Sequence, residues 1–156
     1  MEKVFCVGFS KTGTTSFEFG METLGCNVYH GHWELKHHDY MLALWVNRDY
    51  EEIKRMTGYW DAFADAPWGG TDLYRALHEW YPDARFVLTL RDPHEWYRSL
   101  ERMVTEFDTN LETALDTFHA KARYGFTHFM RRRFGISQLA GNREKIIEQY
   151  KLHNKS

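Results

Sequence analysis

The chain is poor in cysteine and proline, and it has no long apolar run. Two of its 156 residues are cysteine and three are proline, too few for a disulfide-stabilised secreted domain. No stretch approaches the roughly 20 apolar residues that cross a bilayer. The apolar run Val4 to Val7 is too short for a signal peptide. We therefore predict reduced thiols, a cytoplasmic location and no membrane span.

An excess of one charge is also missing. Lys and Arg number 20 against 22 for Asp and Glu, which gives a net charge of −2 and does not favour a nucleic-acid partner. The basic run 131–133 is typical of a solvated helix end, although it would also attract an anionic acceptor or a lipid surface. Aromatic residues are abundant at 17%, and they favour a bulky core or an aromatic-lined pocket. The length predicts one domain, residues 1–156.

Short apolar runs alternate with helical periodicity over the first 90 residues. Strands are predicted at 4–7, 27–30, 61–65 and 85–90. Helices are predicted at about 17–24, 34–46, 50–57 and 71–80, and then at about 93–107, 109–124, 126–134 and 142–153. Gly70 or Thr71 is expected to cap the fourth helix. This alternation predicts an α/β fold with a central parallel sheet, helices on both faces and a helical C-terminal part.

The segment between the first strand and the first helix is a candidate phosphate-binding loop. It holds two glycines, one lysine and four hydroxyl residues: Gly8, Ser10, Lys11, Thr12, Gly13, Thr14 and Thr15. Backbone N–H groups of such a loop, together with the helix dipole, attract a phosphate. Gly8 and Gly13 have the spacing of the nucleotide triphosphatase loop, but Thr14 occupies the position of its lysine. The earlier Lys11 favours a shorter anion, such as a 5′-phosphosulfate.

A second anion site is predicted where the fourth strand ends. Asp92 fits a helix N-cap and Pro93 the first helical position. Ser99 follows about two turns later, so it returns to the face of the helix start, which Arg91 can also reach. A guanidinium and a hydroxyl there would bind one phosphate. Ligands of open α/β sheets lie at the carboxyl ends of the strands, so the loop and this segment are predicted to hold two ends of one nucleotide.

Both segments resemble the sulfotransferases that use 3′-phosphoadenosine 5′-phosphosulfate (PAPS). Residues 10–15 resemble the family's 5′-phosphosulfate pattern, P-K-[ST]-G-T-T, with Phe9-Ser10 in place of the usual Tyr-Pro or similar pair. Arg91 and Ser99 match its 3′-phosphate motif, an arginine at a strand end and a serine eight positions later. Between the two motifs, Asp65-Ala66-Pro67 and Tyr81 to Ala84 resemble a branch of small sulfotransferase-like proteins. Relatives usually continue for several tens of residues, so a chain that ends at Ser156 is expected to be a shortened form or a fragment.

The resemblance implies a P-loop-type fold and sulfuryl transfer from PAPS to an acceptor hydroxyl or amine. The acceptor would be a small molecule, a lipid or a sugar, and the product adenosine 3′,5′-bisphosphate. Lys11 would steady both the leaving phosphate and the transferred group. The 5′-phosphosulfate would be bound by Ser10, Lys11, Thr12, Gly13, Thr14 and Thr15, and the 3′-phosphate by Arg91 and Ser99. No metal is implied, because lysine and backbone dipoles supply the positive field.

The acceptor also needs a proton acceptor within hydrogen-bond reach. Asp65, at the end of the third predicted strand, is the first candidate, although a turn carboxylate that caps the next segment is an equal alternative. His32 and His30 follow, each with a structural or surface role as the alternative, and Glu34 is weaker. His37 and His38 do not extend these histidines into a metal site, because neighbouring helical side chains point about 100° apart.

Two other functions fit the same residues. A nucleotide kinase or another phosphotransferase would share the fold, although its lysine would stand next to Gly13 and a magnesium carboxylate would be needed. A non-catalytic nucleotide-binding or scaffold member would keep the loop without turnover. Protection by adenosine 3′,5′-bisphosphate but not by Mg-ATP would favour the sulfotransferase.

Overall fold

A computed structural model describes residues 2–30, 35–121 and 124–156. The chain divides into two units, Met1–Leu90 and Arg91–Ser156, and the prediction of a single domain over 1–156 stays a prediction. Within the described ranges, none of the helices combines the length and the apolar character needed to cross a membrane.

The first unit contains a parallel sheet of four strands in the order β2-β3-β1-β4. The strands are β1 (Val4–Cys6), β2 (Val28–Tyr29), β3 (Ala62–Phe63) and β4 (Arg85–Val87). The predicted α/β fold with a central parallel sheet is therefore confirmed. The fourth strand was predicted to reach residue 90 but ends at Val87, because its neighbour β1 ends at Cys6 and turns into the following loop.

One face of this sheet packs against the first helix. Helix α1 (Thr14–Thr23) follows β1 as predicted. Val4, Val28 and Ala62 stand at the same level of three strands, and Phe17 and Met21 of α1 pack against them. Side chains alternate between the faces of a strand, so the residue after each of these three points to the other face.

The other face carries a row of aromatic rings across all four strands. In sheet order the ring centroids of Tyr29 and Phe63, Phe63 and Phe5, and Phe5 and Phe86 lie 6.4, 4.8 and 5.7 Å apart. The buried Trp68 ring packs on Phe63 at 4.7 Å. His37 of helix α2 (Leu35–Asn47) packs edge-on against Tyr29 at 5.6 Å. The first unit therefore has helices on both faces of its sheet.

The remaining helices of the first unit lie near their predicted positions. They are α3 (Tyr50–Met56), a 3-10 turn (Thr57–Tyr59) and α4 (Tyr74–Trp80). Asp49 caps α3 by accepting a hydrogen bond from the Glu52 N–H at 3.3 Å. The predicted cap of α4 is wrong, since Leu73 is the N-cap residue. The Thr71 hydroxyl instead accepts from the Leu73 N–H and donates to the Pro67 carbonyl, so it closes the turn before the helix.

The described elements of the second unit are all helices, as predicted. They are α5 (Pro93–Val104), α6 (Ala114–Lys121), α7 (Tyr124–Phe134) and α8 (Arg143–His153). The Asp92 side chain caps α5 by accepting from the N–H groups of His94 and Glu95, both at 3.0 Å. Helix α6 starts later than predicted, because Asp108 accepts from the Asn110 N–H and the Thr113 hydroxyl and holds residues 108–113 in turns.

Candidate functional site

The loop between β1 and α1 contains two residues with left-handed backbone. Lys11 has a φ of 74° and Gly13 a φ of 104°. Glycine adopts this conformation readily, whereas a lysine rarely does. Left-handed residues turn successive N–H groups toward one side of the chain, which is how backbone concavities for anions are built. The Lys11 side chain is exposed at this turn.

Hydrogen bonds inside the protein fix this loop. The Thr12 hydroxyl donates to the Phe9 carbonyl at 2.6 Å and lies 2.6 Å from the Thr89 hydroxyl. Since the Thr12 proton is used toward Phe9, Thr89 is the donor to Thr12. Thr89 also lies 3.5 Å from the Cys6 thiol. The Thr12 side chain therefore supports the loop, and Thr89 anchors it to the segment after β4.

Three glycines bring neighbouring backbone into contact with the loop. A Cβ atom on Gly8 would overlap the Thr89 hydroxyl, and one on Gly69 would overlap the Gly8 carbonyl oxygen. Gly70 has a φ of 70°, and its N–H donates to the Val7 carbonyl at 3.1 Å. The loop is thus held between the segment after β4 and the turn after β3.

Helix α1 starts at Thr14 with an electropositive end. Its N-cap is Gly13, which has no side chain to occupy the first N–H groups, and its first turn contains no acidic residue. The first four N–H groups of a helix have no intrahelical partner, and the dipole makes that end favourable for an anion. Ser10 is half-buried, Lys11, Gly13 and Thr15 are exposed and Thr14 is buried. Thr14 can therefore contribute its backbone N–H more readily than its hydroxyl.

One turn into α1, a buried carboxylate is hydrogen-bonded to a histidine. The Glu18 Oε2 lies 3.3 Å from His30 Nδ1, and His30 Nε2 lies 2.8 Å from Glu22 Oε1. Burial raises the pKa of the Glu18 carboxyl to about 7, and the charge of Asp65 adds to that rise. His30 opposes the rise in the Glu18 pKa, while Glu22 contributes a little to it.

Asp65 follows β3 and is buried at the same end of the sheet. Its φ is 61°, and its carbonyl accepts from the Gly69 N–H at 2.7 Å. Its charge raises the pKa of Glu18 and, more weakly than burial does, the pKa of Cys6. The structure therefore brings Asp65 together with Glu18. The other predicted proton acceptors His32 and Glu34 lie outside the described residues.

The second predicted anion site lies in the second unit. The Tyr150 hydroxyl donates to the Arg91 carbonyl at 2.9 Å and is 3.0 Å from the Arg91 N–H, which donates to it. The Tyr150 ring stacks on Trp96 with centroids 4.2 Å apart. The Arg91 side chain is exposed, and Ser99 is half-buried on α5. The backbone of Arg91 is thus fixed while its guanidinium is left at the surface.

A comparison with protein families decides the classification. The sequence model of the family described as "Sulfotransferase domain" matches residues 3–156. The chain belongs to the sulfotransferase family. The resemblance predicted from the two motifs is therefore confirmed. The parallel α/β sheet is consistent with the fold expected of this family.

A comparison with curated proteins finds a similarity to "Ava biosynthesis cluster protein M" of Aspergillus versicolor. The two sequences are 26% identical over 129 residues, which cover 74% of this chain and 48% of that protein. The chain therefore spans about half the length of the curated relative that it matches.

Sequence reasoning missed two residues of this candidate site. Thr89 was assigned to a strand, and its hydroxyl gave no signal apart from its place between Leu88 and Leu90. Glu18 could have been noticed, because it follows Thr14 by one helical turn and precedes Met21 by three residues on the packed side of α1. As for metals, residues 2–30, 35–121 and 124–156 contain no cluster of three or more His, Cys, Asp or Glu able to hold an ion.

Proposed function

We propose that this member of the sulfotransferase family moves the sulfuryl group of PAPS to an acceptor hydroxyl or amine. The observation that carries the proposal is the β1–α1 loop, in which an exposed left-handed Lys11 stands beside the acid-free start of α1. A lysine inside the loop is well placed to contact the anhydride oxygen of a short anion. A lysine after Gly13 would instead serve the terminal phosphates of a triphosphate.

The proposed reaction is an in-line displacement at sulfur. The bond between sulfur and the acceptor oxygen or nitrogen forms while the bond between sulfur and the 5′-phosphate oxygen breaks. Adenosine 3′,5′-bisphosphate leaves, and the acceptor loses one proton. Lys11 would neutralise the charge that develops on the bridging oxygen, which is the kind of fixed electrostatic stabilisation that lowers such barriers.

The remaining loop residues are proposed to bind the 5′-phosphosulfate in two ways. Ser10 and Thr15 would offer hydroxyl groups, whereas Gly13 and Thr14 would offer backbone N–H groups at the helix start. Thr12 is proposed to act through the shape of the loop, because its hydroxyl is bonded to the Phe9 carbonyl and to Thr89.

Arg91 and Ser99 are proposed to bind the 3′-phosphate. The sequence pattern is the main support, and the second unit adds the fixed backbone of Arg91 and its exposed guanidinium. Asp65 is proposed as the proton acceptor, with His32 as the alternative. The acceptor would be a small molecule, a lipid or a sugar. Both cysteines are reduced thiols, which supports a reducing, cytoplasmic location as part of this proposal.

Thermal-shift titration tests the cofactor. Adenosine 3′,5′-bisphosphate is expected to raise the melting temperature, and Mg-ATP is expected to have little effect. Lys11→Ala should remove most of that protection, while Lys155→Ala, an exposed lysine at the chain end, should keep it. Equal protection by Mg-ATP would contradict the proposal and favour a phosphotransferase.

Transfer of labelled sulfate from PAPS tests the reaction itself, with phenols, sugars, lipids and amines as acceptors. Turnover by the wild type that Lys11→Ala abolishes would support the enzyme. Protection by the bisphosphate without turnover on any acceptor would instead indicate a non-catalytic nucleotide-binding protein.

A further inference from the structure

We propose that Glu18, His30 and Glu22 form a proton relay that removes the acceptor's proton from the buried end of the sheet to solvent. The proposal rests on the sulfuryl transfer proposed above. These three residues act through Asp65, so they are positioning residues and need not touch the acceptor.

The three side chains form a chain of hydrogen bonds that runs from the interior to the surface. Glu18 Oε2 is 3.3 Å from His30 Nδ1, and His30 Nε2 is 2.8 Å from Glu22 Oε1. The exposed fractions of the side chains are 2% for Glu18, 27% for His30 and 45% for Glu22. An imidazole between two carboxylates can accept a proton on one nitrogen and release one from the other. Glu18 is therefore the inner end of the proposed proton path, and Glu22 is its outer end.

The location of this chain matches the proposed chemistry. Glu18 stands on α1 one turn beyond the phosphate-binding start, His30 directly follows β2, and Asp65 closely follows β3. The carboxyl ends of parallel strands are where an α/β protein binds its ligands. The relay thus starts among the groups that would surround an acceptor.

The charges around Glu18 show how the relay works. Burial raises the pKa of Glu18 most, the charge of Asp65 after β3 raises it further, His30 after β2 lowers it and Glu22 on α1 adds a little, so that the pKa is about 7. Glu18 therefore exchanges its proton close to neutral pH. Because like charges repel, loss of the charge on Asp65 would make it easier for Glu18 to ionise.

The proton balance follows from that coupling. The acceptor O–H or N–H proton passes to the Asp65 carboxylate as the bond from sulfur to the acceptor forms. Neutral Asp65 no longer raises the pKa of Glu18, so Glu18 gives its own proton to His30. His30 releases a proton to Glu22 or to water and recovers its starting tautomer by exchange with solvent. Asp65 then passes its proton on to Glu18. One proton enters and one leaves in each turnover.

Two phenols of different acidity test the relay. With PAPS at about pH 7.5, 4-methoxyphenol is neutral and must lose a proton, whereas p-nitrophenol is largely ionised already. Glu18→Gln and His30→Gln are expected to lower kcat for 4-methoxyphenol by at least about tenfold and to change kcat for p-nitrophenol less than about twofold. Glu51→Gln, an exposed carboxyl of α3, is the matched control. Added imidazole should restore part of the activity of His30→Ala.

A spectroscopic measurement that needs no turnover is the second test. The ¹⁵N signals of the His30 ring are recorded at pH 7 in the wild type, in Glu18→Gln and in Glu51→Gln. The Nδ1 signal should shift in Glu18→Gln, because Glu18 is the hydrogen-bond partner of Nδ1 at 3.3 Å, and it should stay in place in Glu51→Gln. An unchanged Nδ1 signal in Glu18→Gln overturns the relay, whatever the enzyme assay shows.

The outcomes separate this inference from the function on which it rests. The relay is overturned if the wild type transfers sulfate but the Glu18→Gln and His30→Gln variants lose kcat equally on both phenols, or lose none. The proposed sulfotransferase function stands in that case. No transfer by the wild type to any acceptor overturns the proposed function and the relay with it. Unequal losses of kcat on the two phenols, together with a shifted His30 Nδ1 signal, support the relay.

Discussion

The hydroxyl groups of Thr12 and Thr89 lie 2.6 Å apart, and they join the β1–α1 loop to the segment after β4. Thr12 also donates to the Phe9 carbonyl within the loop. The two bonds hold the loop in its left-handed turn at Lys11. A loop that is held in this way before binding would lose less entropy when the proposed anion binds.

Replacing Thr89 by valine is expected to loosen this loop. The change keeps the side-chain shape but removes a half-buried hydrogen-bond donor, so the free energy of unfolding should fall by about 1 kcal/mol. Binding of adenosine 3′,5′-bisphosphate should weaken roughly fivefold, as measured by titration calorimetry. Thr89→Ser should stay near the wild type. Thr23→Val, which removes an exposed hydroxyl bonded to the Phe19 carbonyl, should leave binding unchanged, and equal weakening in both valine variants would contradict the prediction.

Two glycine-to-alanine substitutions are expected to change the free energy of unfolding in opposite directions, one through steric overlap and one through reduced backbone freedom. A Cβ on Gly69 would overlap the Gly8 and Cys6 carbonyl oxygens, so Gly69→Ala should lower the free energy of unfolding by roughly 1–3 kcal/mol. Gly20 lies inside α1, and a Cβ there meets no described atom within 4 Å apart from its chain neighbours and the nearby backbone of its own helix. Gly20→Ala should therefore stabilise the protein by about 0.5–1 kcal/mol. Urea denaturation measures both, and destabilisation of similar size in the two variants would exclude this explanation.

Local patterns predicted most of the fold. Runs such as Val4 to Val7 and the capping pair Asp92-Pro93 predicted a strand and a helix start because both depend on neighbours in sequence. The end of β4 at Val87 was not predictable in this way. It depends on where β1 stops, and the strand order places those two segments side by side.

The supporting contacts of the site were hidden for the same reason. Thr12 and Thr89 are 77 positions apart, and the charge of Asp65 acts on Glu18 only because β3 lies next to β1 in the sheet. The loop residues themselves were predictable, since glycine, lysine and hydroxyl groups between a strand and a helix have few other uses. Their roles in binding PAPS stay predictions.

Tyr150→Phe tests the support of Arg91 in the second unit. The change removes both hydrogen bonds to the Arg91 backbone but keeps the ring stacked on Trp96. The free energy of unfolding should fall by about 1–2 kcal/mol, and binding of the bisphosphate should weaken if Arg91 holds the 3′-phosphate. Tyr40→Phe, which removes an exposed hydroxyl bonded to Glu52, is the control for both measurements. If Tyr150→Phe and Tyr40→Phe lower the free energy of unfolding equally, the hydrogen bonds to Arg91 contribute no more to stability than an exposed hydroxyl does.

The raised pKa of Glu18 predicts a pH dependence of stability with a definite sign. Folding raises this pKa from its usual 4.5 to about 7, so between these values the folded protein binds a proton that the unfolded chain releases. The stabilisation is complete below about pH 4.5 and is lost as the pH rises through about 7. Glu18→Gln removes this titration. We therefore subtract the free energy of unfolding of the wild type from that of Glu18→Gln at each pH. This difference should be larger at pH 8 than at pH 5 by roughly 1–3 kcal/mol.

Urea denaturation at the two pH values measures this difference, with Glu51→Gln as the control whose difference from the wild type should not change with pH. The glutamine also changes the energy of the hydrogen bond to His30, but by a similar amount at both pH values. The change in the stability difference between pH 5 and pH 8 therefore reports on Glu18 better than the difference at one pH does. If the stability difference between Glu18→Gln and the wild type is equal at pH 5 and pH 8, or larger at pH 5, then Glu18 is ionised throughout this range. The proton held at the buried end of the sheet would then belong to another group, and the relay would lose its inner donor.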